Sequence, residues 1–122
     1  MTWQFAADRP IYSQLMDYMS IFIVTGKYPA GSRLPSVRDL AAQAKVNPNT
    51  MQRALAELEN RGLVYSERTS GRFVTEDKEM ITSTKEQLAH MRIELFFADM
   101  ANLGIDRQQA LLMAAAGKEQ IV

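Results

Sequence analysis

The chain of 122 residues has no cysteine, which excludes disulfides, thiolate catalysis and cysteine-based metal sites. It has one histidine, His90, with no second imidazole or thiol to complete a ligand set. His90 is expected to be a surface or interface side chain. No apolar run approaches the roughly 20 residues of a membrane-spanning helix. Met1-Thr2-Trp3-Gln4-Phe5 has no basic stretch followed by an apolar one, so no signal peptide is expected. Together these absences suit a reducing cytoplasm. There is also no nucleophile–base pair, no glycine-rich phosphate loop and no His-Glu-x-x-His signature. No enzyme, metal or cofactor is expected. Glu94, Asp99 and Asp106 form an acidic group without matching ligands, which reads as a solvated face.

Net charge is also missing: 14 Lys/Arg balance 14 Asp/Glu. The distribution is uneven. Residues 1–75 carry nine basic and six acidic side chains, a net of +3. Residues 76–122 carry five and eight, a net of −3. A basic first part joined to an acidic second part points to two jobs. The expected domains are therefore 1–75 and 76–122.

What is present is mostly helical periodicity. Pro10 suits the first position of a helix carrying Ile11, Leu15, Tyr18, Met19, Phe22 and Ile23, closed by Gly26. Ser36 can cap a short second helix, with Asp39 three residues on and Val37, Leu40 and Ala41 on its apolar face. Lys45-Val46 makes a tight turn. Asn47 can cap a third helix that starts at Pro48, places Met51, Leu55 and Leu58 on one stripe, and ends at Gly62. Leu63–Glu67 and Arg72–Thr75 then read as two strands of a hairpin around Arg68–Gly71. Helical periodicity returns from Glu76 to Leu103, with Glu76, Asp77 and Glu79 in the first turns. Such a helix would be about 42 Å long, more than so small a domain can cover. Its stripe is Ile81, Leu88, Met91, Leu95 and Ala98, flanked by Phe96 and Leu103. Asp106 caps a final helix with Ala110, Leu111, Met113 and Ala114 on its apolar face.

Three helices followed by a β-hairpin are the order of a winged helix-turn-helix, and the turn between helices two and three is short enough for that motif. The fold expected is mainly α: this motif followed by a two-helix tail. A helix-turn-helix lays its second helix in the major groove of DNA. Here that helix opens with Asn47, Asn49, Thr50, Gln52 and Arg53, polar side chains set away from the apolar stripe and able to meet base edges and phosphates. Arg38, in the first turn of helix two, can read guanine or phosphate bidentately. Its alternative is an ion pair with a neighbouring carboxylate. Arg33 can touch phosphate or hold the turn.

Pro10-Ile11-Tyr12-Ser13-Gln14-Leu15, Gly31 to Ala41, Val46 to Thr50 and Arg53 to Glu59 occur in the order and spacing of the DNA-binding domain of the GntR family of bacterial regulators. The chain resembles that family over about Pro10 to Thr75, and its short two-helix tail resembles the YtrA-type branch. The resemblance implies DNA contacts at Arg38, at Asn47, Asn49, Thr50 and Gln52, and at the wing tip. It also implies a dimer formed by the tail. One departure is Thr69, where the family's wing usually has a first glycine, in Thr69-Ser70-Gly71-Arg72-Phe73-Val74.

The expected DNA-binding set is Arg33, Ser36, Arg38, Asn47, Asn49, Thr50, Gln52, Arg53, Ser70, Gly71 and Arg72. The expected dimer interface is Ile81, Leu88, Met91, Leu95, Phe96, Leu103 and Leu111, with Met80, Met91, Met100 and Met113 as adaptable apolar surface. The stripe could instead pack on the chain's own last helix. The partners expected are a double-stranded DNA operator and a second copy of the chain, as a repressor. Nothing polar converges in the tail to support a small-molecule effector. The competing reading is a winged helix that binds protein, which would expose apolar groups where this chain places arginines. Trp3 and Phe5 are expected to pack simply.

Overall fold

The computed structural model describes residues 3–117. Residues 1–2 and 118–122, the outer ends of the two expected domains, lie outside them. The element order is α1 (Ile11–Val24), α2 (Val37–Ala44), α3 (Pro48–Asn60), β1 (Val64–Glu67), β2 (Gly71–Val74), α4 (Lys78–Asn102) and α5 (Arg107–Ala116). This is the mainly helical, winged helix-turn-helix architecture. The chain divides into two compact units, 1–85 and 86–122, with the division inside α4.

The first unit has one apolar core. Leu15, Met19 and Ile23 of α1, Leu40 of α2, and Met51, Leu55 and Leu58 of α3 close it, with Val64 and Val74 from the hairpin beneath. Each side chain of this kind adds about 1.5–3 kcal/mol through removal of apolar surface from water. Trp3 and Phe5 pack onto the same core, with Trp3 edge-on to Phe22 at a centroid distance of 5.2 Å. The segment before α1 is held by polar groups too. Buried Gln14 accepts from Ala6 N–H (2.7 Å) and donates to the Ala6 and Arg9 carbonyls (2.9 and 3.0 Å). Tyr18 OH donates to the Gln4 carbonyl (2.7 Å) and accepts its N–H (2.8 Å).

Several boundaries differ from expectation; β2, for one, spans Gly71–Val74 and not Arg72–Thr75. Pro10 is not the first helical residue; its ψ of 140° is extended, and its carbonyl accepts the Gln14 N–H at 3.4 Å from outside the helix. The fourth helix begins at Lys78, because the Asp77 carboxylate accepts the N–H groups of Glu79 and Met80 (3.1 and 3.2 Å). Asp77 thus caps the helix instead of lying in its first turn. Leu63 stays outside β1, since its N–H still bonds the Leu58 carbonyl at the end of α3 (3.0 Å).

The hairpin is antiparallel, pairing Val64 with Val74 and Tyr65 with Phe73, whose rings stack at 5.7 Å. The chain before α2 extends this pairing. Leu34 N–H donates to the Arg72 carbonyl (2.8 Å) and Val74 N–H to the Ser32 carbonyl (2.9 Å). Arg33 is thereby bridged to Phe73 at the open edge of β2.

The turn between α2 and α3 rests on Lys45, the one described non-glycine residue with positive φ (58°). Its left-handed backbone lets Val46 N–H reach the Ala41 carbonyl at 3.0 Å, closing α2. A side chain in that region costs roughly 1–2 kcal/mol, partly offset by the extra unfolded-state freedom of glycine. Lys45→Gly is therefore expected to raise stability by about 0.5–1 kcal/mol. A urea melt should show a higher midpoint, and a lower one would refute this account of the turn.

Candidate nucleic-acid interface

The helix-turn-helix is built on two side-chain caps. Ser36 Oγ accepts the Asp39 N–H (3.1 Å) at the start of α2, and Asn47 Oδ1 accepts the Asn49 N–H (2.7 Å) at the start of α3. Met51, Ala54, Leu55 and Leu58 face the core. The helical period then turns Asn49, Gln52 and Arg53 outward, where all three are exposed; Thr50 is half-buried. Asn47 and Ser36 are exposed as well, but each already spends an oxygen on its cap.

Arg38 is exposed in the first turn of α2. Among the described residues the ion pairs are Arg9–Asp17, Arg61–Glu57, Arg72–Glu59 and Arg107–Glu94. Arg38 takes part in none of them, so the alternative of an intramolecular ion pair falls away. Arg33 lies across the wing. A Cβ added to Gly71 would come within 3.2 Å of its Nε, and Gly71 has a φ of +104°. A side chain at residue 71 would therefore be strained and would press on Arg33. Thr69 does not need positive φ, so the family's first wing glycine is dispensable here. Ser70 is exposed at the tip, its N–H bonded to the Glu67 carbonyl (3.3 Å). Arg33, Ser36, Leu55, Gly71 and Arg72 are brought together along a cleft of about 220 Å³.

Two expected contacts are already engaged. The Arg53 guanidinium lies 3.8 Å from the centre of the Tyr12 ring, which ties α3 to α1. Arg72 is mostly covered: its Nε donates to Glu59 Oε1 (3.2 Å) and its Nη1 to Gln52 Oε1 (3.1 Å). Ser66 Oγ donates to the same Glu59 oxygen at 2.7 Å. The Ser66 hydroxyl above all, with the Arg72 guanidinium assisting, holds the Glu59 carboxyl below its ordinary value against the opposing effect of burial. The depressed value means that this link stabilises the fold above the ordinary carboxylate range. It is lost as pH falls through the lowered pKa. Tyr12, Glu59 and Ser66 were not marked by the sequence, because only folding brings α1, α3 and β1 to these partners.

In the second unit, Met91, Leu95, Phe96, Leu103 and Leu111 are exposed and Leu88 is half-buried. The last helix does not cover the Met91–Leu95 stripe. Ile81, which lies in the first unit, is half-buried and packs, with Met80, against that unit's core. The acidic group Glu94, Asp99 and Asp106 is exposed, in keeping with a solvated face. Glu94 pairs bidentately with Arg107 (2.8 and 3.1 Å), and Asp106 accepts the Gln109 N–H as the cap of α5 (2.8 Å). Among the described residues no helix is long and apolar enough to cross a membrane.

A helix-turn-helix with an exposed polar helix start, an Arg38 in no ion pair among the described residues and a flanking hairpin defines a winged-helix DNA-binding domain. The family model "Bacterial regulatory proteins, gntR family" matches residues 11–74. The chain is 38% identical to the uncharacterized HTH-type transcriptional regulator YhcF of Bacillus subtilis, over 88% of this chain and 89% of that protein. It is 35% identical to the HTH-type transcriptional repressor YtrA of the same organism, over 75% of each. A GntR family transcriptional regulator from Listeria monocytogenes superposes with a TM-score of 0.82 at 40% identity, covering 91% of this chain and 97% of that one. The DNA-binding domain of AraR in complex with operator ORX1 superposes with a TM-score of 0.55 at 28% identity, covering 59% of this chain and 93% of that one. The chain belongs to the GntR family of DNA-binding transcription regulators, which are not enzymes.

Proposed function

We propose that the protein is a repressor that binds a palindromic operator as a homodimer. The observation that carries the DNA half is the exposure of Arg38 on α2, in no ion pair among the described residues, together with that of Asn49 and Gln52 on α3. In this reading α3 enters the major groove, with Asn47, Asn49, Thr50 and Gln52 at base edges and Arg53 near the backbone. Arg33 and the wing tip, Ser70 and Gly71, follow the adjacent phosphates. The competing role as a protein-binding winged helix fits less well, because this face exposes arginine and amide groups where a protein partner would meet apolar ones. The YtrA-like relative is named a repressor, which supports that sign of regulation.

The dimer half rests on the second unit. Ala110 is its single buried apolar residue among those described, while Met91, Leu95, Leu103, Leu111 and Leu112 are each more than half exposed. A helical pair without a core of its own needs another surface, and a second copy supplies one of matching character. Two-fold symmetry then calls for two inverted half-sites.

Selection of bound fragments from genomic DNA by the purified protein tests the reading. Inverted repeats are the expected yield. Affinity for a selected site should fall steeply with salt, by roughly 10³ or more between 50 and 200 mM if six or more phosphates are contacted. A flat salt response would count decisively against DNA as the partner.

A further inference from the structure

The contact between wing and reading helix has a chemical polarity. Arg72 Nη1 donates to Gln52 Oε1 at 3.1 Å, Arg72 Nε donates to Glu59 Oε1 at 3.2 Å, and Ser66 Oγ buttresses that carboxylate at 2.7 Å. A guanidinium has only donors, so only the oxygen end of the Gln52 amide can face it. The Arg72 side chain is 17% exposed, held between β2 and α3. Gln52 itself is exposed, and its Nε2 has no partner among the described residues.

We propose that Glu59 and Arg72 are positioning residues that lock the Gln52 amide, so that Gln52 prefers guanine to adenine at the base it meets. This rests on the reading of α3 as the base-contacting helix. An unconstrained glutamine reads adenine with both ends of its amide: the oxygen accepts from N6 and the nitrogen donates to N7. Here the oxygen is engaged by a cation, and what remains on offer is the NH₂ group. Guanine shows two acceptors, O6 and N7, on the same edge, while adenine shows an N6 donor that would have to share an oxygen already held toward the wing by a cation. Glu59 touches no base in this scheme. It acts through Arg72, and its carboxylate fixes which way the fork points.

The test is selection from a randomised duplex library by the full-length protein, followed by sequencing. The variants are Gln52→Ala, Glu59→Ala, Arg72→Met and Glu59→Gln. Gln52→Ala identifies the base pair by flattening it. At that pair the wild type should favour guanine over adenine by roughly tenfold. Glu59→Ala and Arg72→Met break the lock from opposite ends and should bring that ratio close to one, leaving the other positions of the site unchanged. Glu59→Gln keeps an acceptor for Arg72 and Ser66 and should retain guanine. A wild-type preference for adenine overturns the inference, as does a guanine preference that survives both Glu59→Ala and Arg72→Met. So does a selected site that Gln52→Ala leaves intact. A wild type that enriches no sequence overturns the DNA reading itself, and this inference with it. Thermal melts of each variant accompany the selection, and loss of folding in one leaves the other to decide.

Discussion

Leu95→Asp combined with Leu103→Asp is expected to turn the protein into a folded monomer. These side chains are 62% and 70% exposed within the chain, so changing them costs the single subunit almost nothing. In the proposed dimer the same positions are covered, and aspartates there must lose water without gaining a partner. Burying unpaired carboxylates costs several kcal/mol, and every 1.4 kcal/mol is tenfold in a dissociation constant. The dimer constant should weaken on the order of 100-fold or more. Sedimentation equilibrium gives the answer. The far-ultraviolet spectrum should keep the helical signal of the first unit, whose core contains neither residue. Operator affinity should fall as well, because a monomer grips one half-site where a dimer gains from holding two. A double variant that sediments as an unchanged dimer would show that α4 and α5 are not the interface.

Arg38→Ala is expected to cost about 1–3 kcal/mol of specific operator binding, or about 5- to 150-fold in affinity. Arg38 has no ion pair to lose among the described residues and is exposed, so folding stability should stay within about 0.5 kcal/mol. That separation makes the result interpretable: binding drops and the melting curve does not move. Competition against non-specific duplex tells base reading from phosphate contact. If Arg38 reads a base, discrimination between operator and random DNA shrinks; if it only meets phosphate, both affinities fall together. Unchanged operator binding would remove Arg38 from the interface.

The capped helices were legible because their signals are local. Ser36, Asn47 and Asp106 each stand immediately before a helix, and each accepts a backbone N–H two or three residues on. The hairpin and the core stripe of α3 were legible for the same reason, since period and turn chemistry act over a few residues. What escaped the sequence depends on partners distant along the chain. Gln14 reads as an ordinary polar residue on a helix until the preceding segment folds back and buries it. Gln52 and Arg72 were both expected at the DNA surface, but nothing in their spacing announces that one holds the other, or that Glu59 holds both in place. Ile81 fits the stripe of its helix by periodicity, yet it belongs to the first unit and packs on that unit's core. Lys45 was placed in a turn correctly, while its left-handed backbone belongs to a conformation more often assigned to glycine.

That Ala110 alone is buried among the described residues of the second unit would, in the proposed dimer, have a consequence for regulation. A helical hairpin that keeps one small side chain from water has little cohesive energy of its own, so its order is gained when it associates. Protein copy number then becomes a control variable in its own right. If the proposed dimer forms through this unit, the chain at low abundance would keep its reading head but lack the second grip on an operator. As abundance rose, pairing of the second unit and occupancy of the site would then increase together. A regulator that controlled its own gene through such a segment would have a threshold built into its fold, without any small molecule to set it.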